Sequence, residues 1–176
     1  MNEKIRALAE KYHAGQFRRG PEKIPYIVHP TAVVQTLLEW GEPEDSPAVD
    51  MAWGHDLLED TTVSEAEIRD AANDRVLEGI KILTCPKETD KPLYLLQVAG
   101  TGDRDVLLVK LADRICNTRD FVKGGDKKYA AEYLHWADCV FEAVCALPAP
   151  DRTVRNAVAA RNELNRRLNK LTGREA

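Results

Sequence analysis

The chain lacks any uninterrupted apolar stretch, so nothing in it reads as a secretory signal or a membrane span. Its start, MNEKIRALAEKYH, is an amphipathic charged helix instead, and the cytoplasm is the expected location. Cysteine is scarce. Cys85, Cys116, Cys139 and Cys145 show no CxxC spacing and sit in or beside apolar helical patterns, which argues against a disulfide framework and predicts free, mostly buried thiols. Positive charge is not in excess either: 25 Lys and Arg stand against 29 Asp and Glu, for a net charge of -4. A general duplex-DNA binder needs a cationic surface to displace counterions, and a single-strand binder needs aromatic stacking platforms; with aromatics at 6%, no nucleic-acid partner is expected. A local basic pocket for one small anion stays compatible with this balance. There is no repeat, no low-complexity tract and no sustained β-type alternation.

What is present is enough apolar sequence, 44%, for one core in a single domain over residues 1–176. Helical periodicity dominates and predicts an all-α globule of about eight helices. They are expected at about 2–14, from Pro30 to Gly41, from Ala48 to about Glu59, near Glu65 behind a Ser64/Glu67 capping box, and at 75–83, 91–99, 104–119 and 127–147. Thr84 to Pro92 reads as a polar loop. After Pro148 and Pro150, Asp151 can cap a last helix, about 151–172, that Gly173 ends and that is free to pack outward.

Only four histidines occur, and His55 stands next to Asp56 inside an apolar helical pattern, MAWGHDLLED. Adjacent helical side chains lie about 100° apart and can converge on one ion over their shared edge. His55 with Glu59, and Asp56 with Asp60, are four apart, so an imidazole and three carboxylates crowd one face. A divalent metal would offset their repulsion; a solvated acidic helix end is the plainer alternative. In VKLADRICN, Lys110, Asp113, Arg114 and Asn117 form a polar stripe opposite Leu108, Leu111 and Ile115. Asp113 can give an oxygen ligand and its neighbours can hold a nucleotide, although an ordinary surface helix shows the same pattern. Arg18, Arg19 and Lys23 make a basic loop suited to phosphate oxygens or to solvent, with His13 available to brace it by hydrogen bonding. His135, beside Tyr133 and Trp136, reads as a packed residue. His29 falls at a helix start.

Taken in order, HAGQFRRG, PYIVHP, HDLLEDT and LVKLADRICNTRD resemble the HD-domain phosphohydrolases, and within them the stand-alone small alarmone hydrolases of the RelA/SpoT type. The resemblance spans about residues 5–145. It implies that His29, His55, Asp56 and Asp113 are metal ligands, with Mn2+ the usual ion, and that Glu59 and Asp60 position and deprotonate the attacking water. It further implies that Arg18, Arg19, Lys110, Arg114 and Asn117 bind a nucleotide substrate, ppGpp or pppGpp, whose 3′-pyrophosphate is released to leave GDP or GTP. Tyr26 and Thr61 are assigned structural roles, under the His29 turn and after the HD helix. The sequence departs from the pattern in two places. Trp53 and Gly54 precede the HD pair, a ring that must find room and a residue that weakens a helix by up to ~1 kcal/mol relative to Ala. KPLYLLQVAG, in turn, lacks the extra cations relatives place there for the outer phosphates. Rival readings are a phosphatase of another nucleotide, such as the 2′-phosphate of NADPH or a nucleoside monophosphate, and a nucleotide sensor without catalysis. A homodimer is compatible with the sequence.

Overall fold

Most helices begin on a side-chain oxygen that accepts a first-turn backbone N–H, pairing donors a helix otherwise leaves open. The computed structural model describes residues 2–20 and 22–173 and contains eleven helical segments among them, with no strand beyond one bridge between Phe17 and Pro25. In chain order they are α1 (Glu3–Tyr12), α2 (Val28–Trp40), α3 (Pro47–Gly54), α4 (Leu57–Asp60), α5 (Glu65–Ala71), α6 (Asp74–Leu83), α7 (Lys91–Gly100), α8 (Arg104–Lys123), α9 (Lys127–His135), α10 (Asp138–Cys145) and α11 (Arg152–Thr172). The all-α class is as expected. The count exceeds eight because two long helices are broken, the expected 48–59 helix at His55 and Asp56 and the expected 127–147 helix at Trp136 and Ala137.

Ser64 and Glu67 form the expected capping box, Pro47 and Pro92 sit in the first turns of α3 and α7, and Gly41 and Gly173 end α2 and α11 in the left-handed region at φ 101° and 67°. The polar connection is shorter than expected, because Asp90 accepts from the Leu93 N–H and starts α7 at Lys91.

The fold is organised around α8, which packs against α2, α3, α6, α7, α9, α10 and α11. Being enclosed on most sides, it buries Lys110, Asp113 and Arg114 as well as its apolar stripe, so it is not the surface helix that its charges suggest. Helix α11 does not pack outward. Val154, Ala157 and Leu168 are buried where it lies on α2, α8, α9 and α10, and Asn156 donates to the Trp40 carbonyl. Of the thiols only Cys116 is buried; Cys85 and Cys139 are half-buried and Cys145 is exposed. His135 is also exposed and hydrogen-bonded to Asp138 at 2.5 Å, correcting the packed role expected for it. No helix among the described residues is long and apolar enough to cross a membrane.

Candidate metal centre and substrate cavity

At the end of α3 the chain approaches α6 so closely that a Cβ on Gly54 would lie 2.4 Å from Ile80 Cδ1 and 3.5 Å from Ile5 Cδ1. Any side chain there would have to displace the end of Ile80, and glycine's helix-weakening tendency falls where the helix stops. Trp53 finds its room in the core at 4% exposure, with the Arg6 guanidinium 5.5 Å from its ring. His55 and Asp56 then bridge to α4, and the His55 Nδ1 lies 2.8 Å from the Ala52 carbonyl oxygen. That contact fixes the proton on Nδ1 and leaves Nε2 as the ligand atom facing inward.

His29 comes from the first turn of α2 and Asp113 from the middle of α8. One ligand atom each from His29, His55 and Asp113 lies within 4.8 Å of the others, and all three residues are buried. The two Nε2 atoms are 3.3 Å apart; Asp56 Oδ2 is 3.1 Å from that of His55 and 3.6 Å from that of His29, and Asp113 Oδ1 is 3.2 Å from that of His29. Two imidazole nitrogens and the Asp113 oxygen thus gather in a buried setting, with Asp56 Oδ2 beside both nitrogens. The donor set fits a divalent ion of the Mn2+, Fe2+, Co2+ or Zn2+ type, which would remove the repulsion between the carboxylates and give both imidazole lone pairs a partner.

The charges respond to one another as this crowding requires. Burial alone lowers an imidazole's pKa, but Asp56 and Asp113 outweigh it and push His55 up to about 9. Burial opposes ionisation of both aspartates, yet His55 and His29 hold Asp56 below the usual carboxylate range, and Lys110 with the two histidines holds Asp113 well below it. The cluster attracts positive charge.

Around it lies a cavity of about 190 Å3. Glu59 and Asp60 line one side. Glu59 accepts the Cys85 backbone N–H at 2.9 Å, and burial together with Asp56 and Asp60 raises its pKa. Lys91, Lys110, Arg114, Tyr94 and Tyr133 line the cavity as well. Lys110 Nζ is 3.4 Å from Asp113 Oδ2 and 5.2 Å from the Tyr94 ring centroid, and the Arg114 guanidinium lies 4.2 Å from that of Tyr133. The Arg114 Nε is buried without a hydrogen-bond partner. A cavity lined by both a metal-suited acidic cluster and several cations suits a phosphate ester.

No family model matches the chain. Among curated proteins it is similar to the guanosine-3′,5′-bis(diphosphate) 3′-pyrophosphohydrolase MESH1 of Xenopus tropicalis, 35% identical over 77% of this chain and 79% of that one. The human protein of the same name is 35% identical over 73% of this chain and 76% of its own. The chain belongs to the Mesh1 family of hydrolases. A solved structure described as a metazoan ortholog of SpoT that hydrolyzes ppGpp shares the fold, with a TM-score of 0.78, 23% identity and coverage of 94% of this chain and 93% of that chain.

For a Mesh1-family chain, most of the residues singled out from sequence meet in this cavity. His29, Asp56, Glu59, Asp60, Arg18, Lys110, Asp113, Arg114 and Asn117 line it, and His55 lies directly behind as part of the ligand cluster. Arg18 reaches across to α8, donating to Asn117 Oδ1 at 2.6 Å and Asp120 Oδ2 at 3.1 Å. Arg19, next to it, is exposed and does not line the cavity. His13 braces the loop as expected, at 2.7 Å from Gln16, and Thr61 closes α4 by donating to the Leu57 carbonyl.

Other cavity residues of this Mesh1-family chain escape a sequence reading. Tyr26 was expected only to pack, but its hydroxyl points at Asp56 and Asp60. Its three-residue spacing from His29 was the available signal. Tyr94 and Tyr133 fall in apolar helical patterns that do not distinguish a cavity wall from a core, and the Cys85 contact to Glu59 is made by a backbone N–H that no residue type announces.

Proposed function

We propose that this chain is a metal-dependent (p)ppGpp 3′-pyrophosphohydrolase, a cytoplasmic enzyme formed as one HD domain over residues 1–176, with Mn2+ as its ion and no nucleic-acid partner. The observation that supports this most is the gathering of His29, His55 and Asp113 from α2, the α3–α4 junction and α8, with Asp56 3.6 and 3.1 Å from the two imidazole nitrogens, in a cavity that Lys91, Lys110 and Arg114 also line. The family relationship agrees with it.

In this reading His29, His55, Asp56 and Asp113 hold the ion. When bound, it supplies Lewis acidity toward the phosphoryl oxygen and lowers the pKa of water. Glu59 and Asp60 orient that water and take its proton. Glu59 suits the task because its raised pKa makes it a better acceptor than an exposed carboxylate. Arg18 and Asn117 sit where the ribose and base enter, and Lys110 and Arg114 bind phosphate oxygens, Arg114 through the donors that the free protein leaves unused. Lys91 is the single α7 cation on the cavity wall and serves the outer phosphate. Arg19, exposed on the rim, contributes long-range attraction. Water adds to phosphorus, the 3′ oxygen leaves with a proton, and the products are pyrophosphate and GDP or GTP.

The test is a panel of ppGpp, pppGpp, NADPH and nucleoside monophosphates, with Mn2+, read for pyrophosphate against orthophosphate. Pyrophosphate with GDP from ppGpp is expected. Orthophosphate alone would reassign the chain as a monoesterase, and nucleotide binding without turnover under any divalent ion would make it a sensor. Sedimentation of the same sample settles whether it is a homodimer.

A further inference from the structure

Tyr26 stands between the two functions that the acidic wall is asked to perform. Its hydroxyl oxygen is 2.8 Å from Asp56 Oδ2, the atom that faces both imidazoles, and 2.9 Å from Asp60 Oδ2. One phenolic proton therefore serves two carboxylates, so their oxygens are drawn toward a common point instead of repelling apart.

The ring that carries this hydroxyl is fixed independently of the acids. His13 stacks on it, with centroids 4.8 Å apart and planes at 26°, and the Arg18 guanidinium lies 5.6 Å from its centroid. The Tyr26 N–H donates to the Gln16 carbonyl at 2.9 Å, while the Gln16 side chain donates to the Asp60 carbonyl at 2.8 Å and lies 2.7 Å from His13 Nδ1. The end of α1, Gln16 and α4 are thus tied into one unit with the Tyr26 hydroxyl at its tip.

The geometry points to Tyr26 as a positioning residue, whose hydroxyl holds Asp56 in line with the two imidazoles and Asp60 beside them. This rests on the reading of Asp56 as a metal ligand and Asp60 as a water-positioning acid. Outer-shell donors of this kind alter metal affinity by about 10–100-fold when removed. Tyr26→Phe keeps the ring and its stack on His13 and deletes only the hydroxyl.

Calorimetric titration of Mn2+ into the metal-free protein should show Kd raised about tenfold in Tyr26→Phe, at an unchanged melting temperature. At saturating Mn2+, kcat for ppGpp should fall about tenfold with KM within about twofold, the signature of a group that acts only in the transition state. Tyr26→Leu, which also loses the stack, should in addition melt earlier, separating ring from hydroxyl. Wild-type Mn2+ affinity in Tyr26→Phe overturns the proposal, as does a raised KM at unchanged kcat, which would make Tyr26 a substrate contact. The titration needs no substrate, so a wild-type chain that fails to cleave ppGpp sinks the proposed function and leaves Tyr26 to be judged by Kd alone.

Discussion

The α3–α4 junction and the middle of α8 face the same cavity and reach it by opposite means. At the junction the helix stops for two residues, and two neighbours in sequence, His55 and Asp56, turn to the same point. Helix α8 instead runs unbroken from Arg104 to Lys123, and delivers Lys110, Asp113, Arg114 and Asn117 through helical spacing alone. The first arrangement depends on a glycine that lets α3 close on α6; α8 contains no glycine at all. The second depends on mutual neutralisation. Asp113 is tolerated in the core because Lys110 lies 3.4 Å away and Asn117 donates to it at 2.5 Å. One element reaches the cavity through a break, the other through a helix that pairs its own charges.

The largest test of this contrast removes one ligand from each element. His55→Ala at the junction and Asp113→Ala on α8 should each abolish stoichiometric Mn2+ binding and, with the ion's several kcal/mol lost, reduce turnover by about 10^3-fold or more. Glu59→Ala, from the same junction, should keep the ion and still lose about 10^2–10^4-fold in kcat, because it removes a proton acceptor and no ligand. Metal analysis beside pyrophosphate release separates the two behaviours. A His55→Ala protein that retained its metal would reduce the junction to a bend.

A smaller effect is expected from Gly54→Ala. The new methyl would meet Ile80 Cδ1 at 2.4 Å inside a fully buried core, so the Ile80 side chain or the helix that carries it must shift, at a cost of about 1–3 kcal/mol and a Tm lower by about 2–4 °C for each. Ile80→Val removes the opposing carbon. Combining the two should restore part of the loss, and a double-mutant cycle with no coupling would mean that Gly54 is needed for some other reason.

That glycine also marks how far the sequence was legible. The four motifs contain most of the residues that line the cavity, because residue type and helical spacing survive folding. The cap signals at Ser64 and Asp151 are likewise local, and they place the starts of α5 and α11 to within a residue or two. The break at His55 was not legible. Ala48 to Glu59 is a continuous helical pattern, and the Ile80 and Ile5 side chains that Gly54 packs against where α3 ends lie far away in sequence. The burial of α8 was hidden for the same reason: its polar stripe looks solvated until α2, α3 and α9 close around it. The Tyr26 hydroxyl found its acids through a loop whose path, pinned by Gln16 to α4, has no periodicity to read.

Arg114 gives the smallest stability effect and the sharpest distinction within α8. It is 4% exposed, its Nε has no partner, and among the described residues no carboxylate lies within ion-pair distance of it. Unlike Lys110, it therefore has only the face of Tyr133 to offset its lost hydration. Replacing such a charge with an apolar side chain is often neutral, so Arg114→Leu should change unfolding free energy by no more than about 1 kcal/mol in either direction. The substrate should notice the change far more. Losing one charge-assisted contact to a phosphate, worth about 1.5–3 kcal/mol, should raise KM for ppGpp at least about tenfold with kcat little altered. Denaturant melts beside steady-state kinetics make the comparison. A strongly destabilised variant with an unchanged KM would show that the fold, and not the ligand, is what keeps this cation in the core.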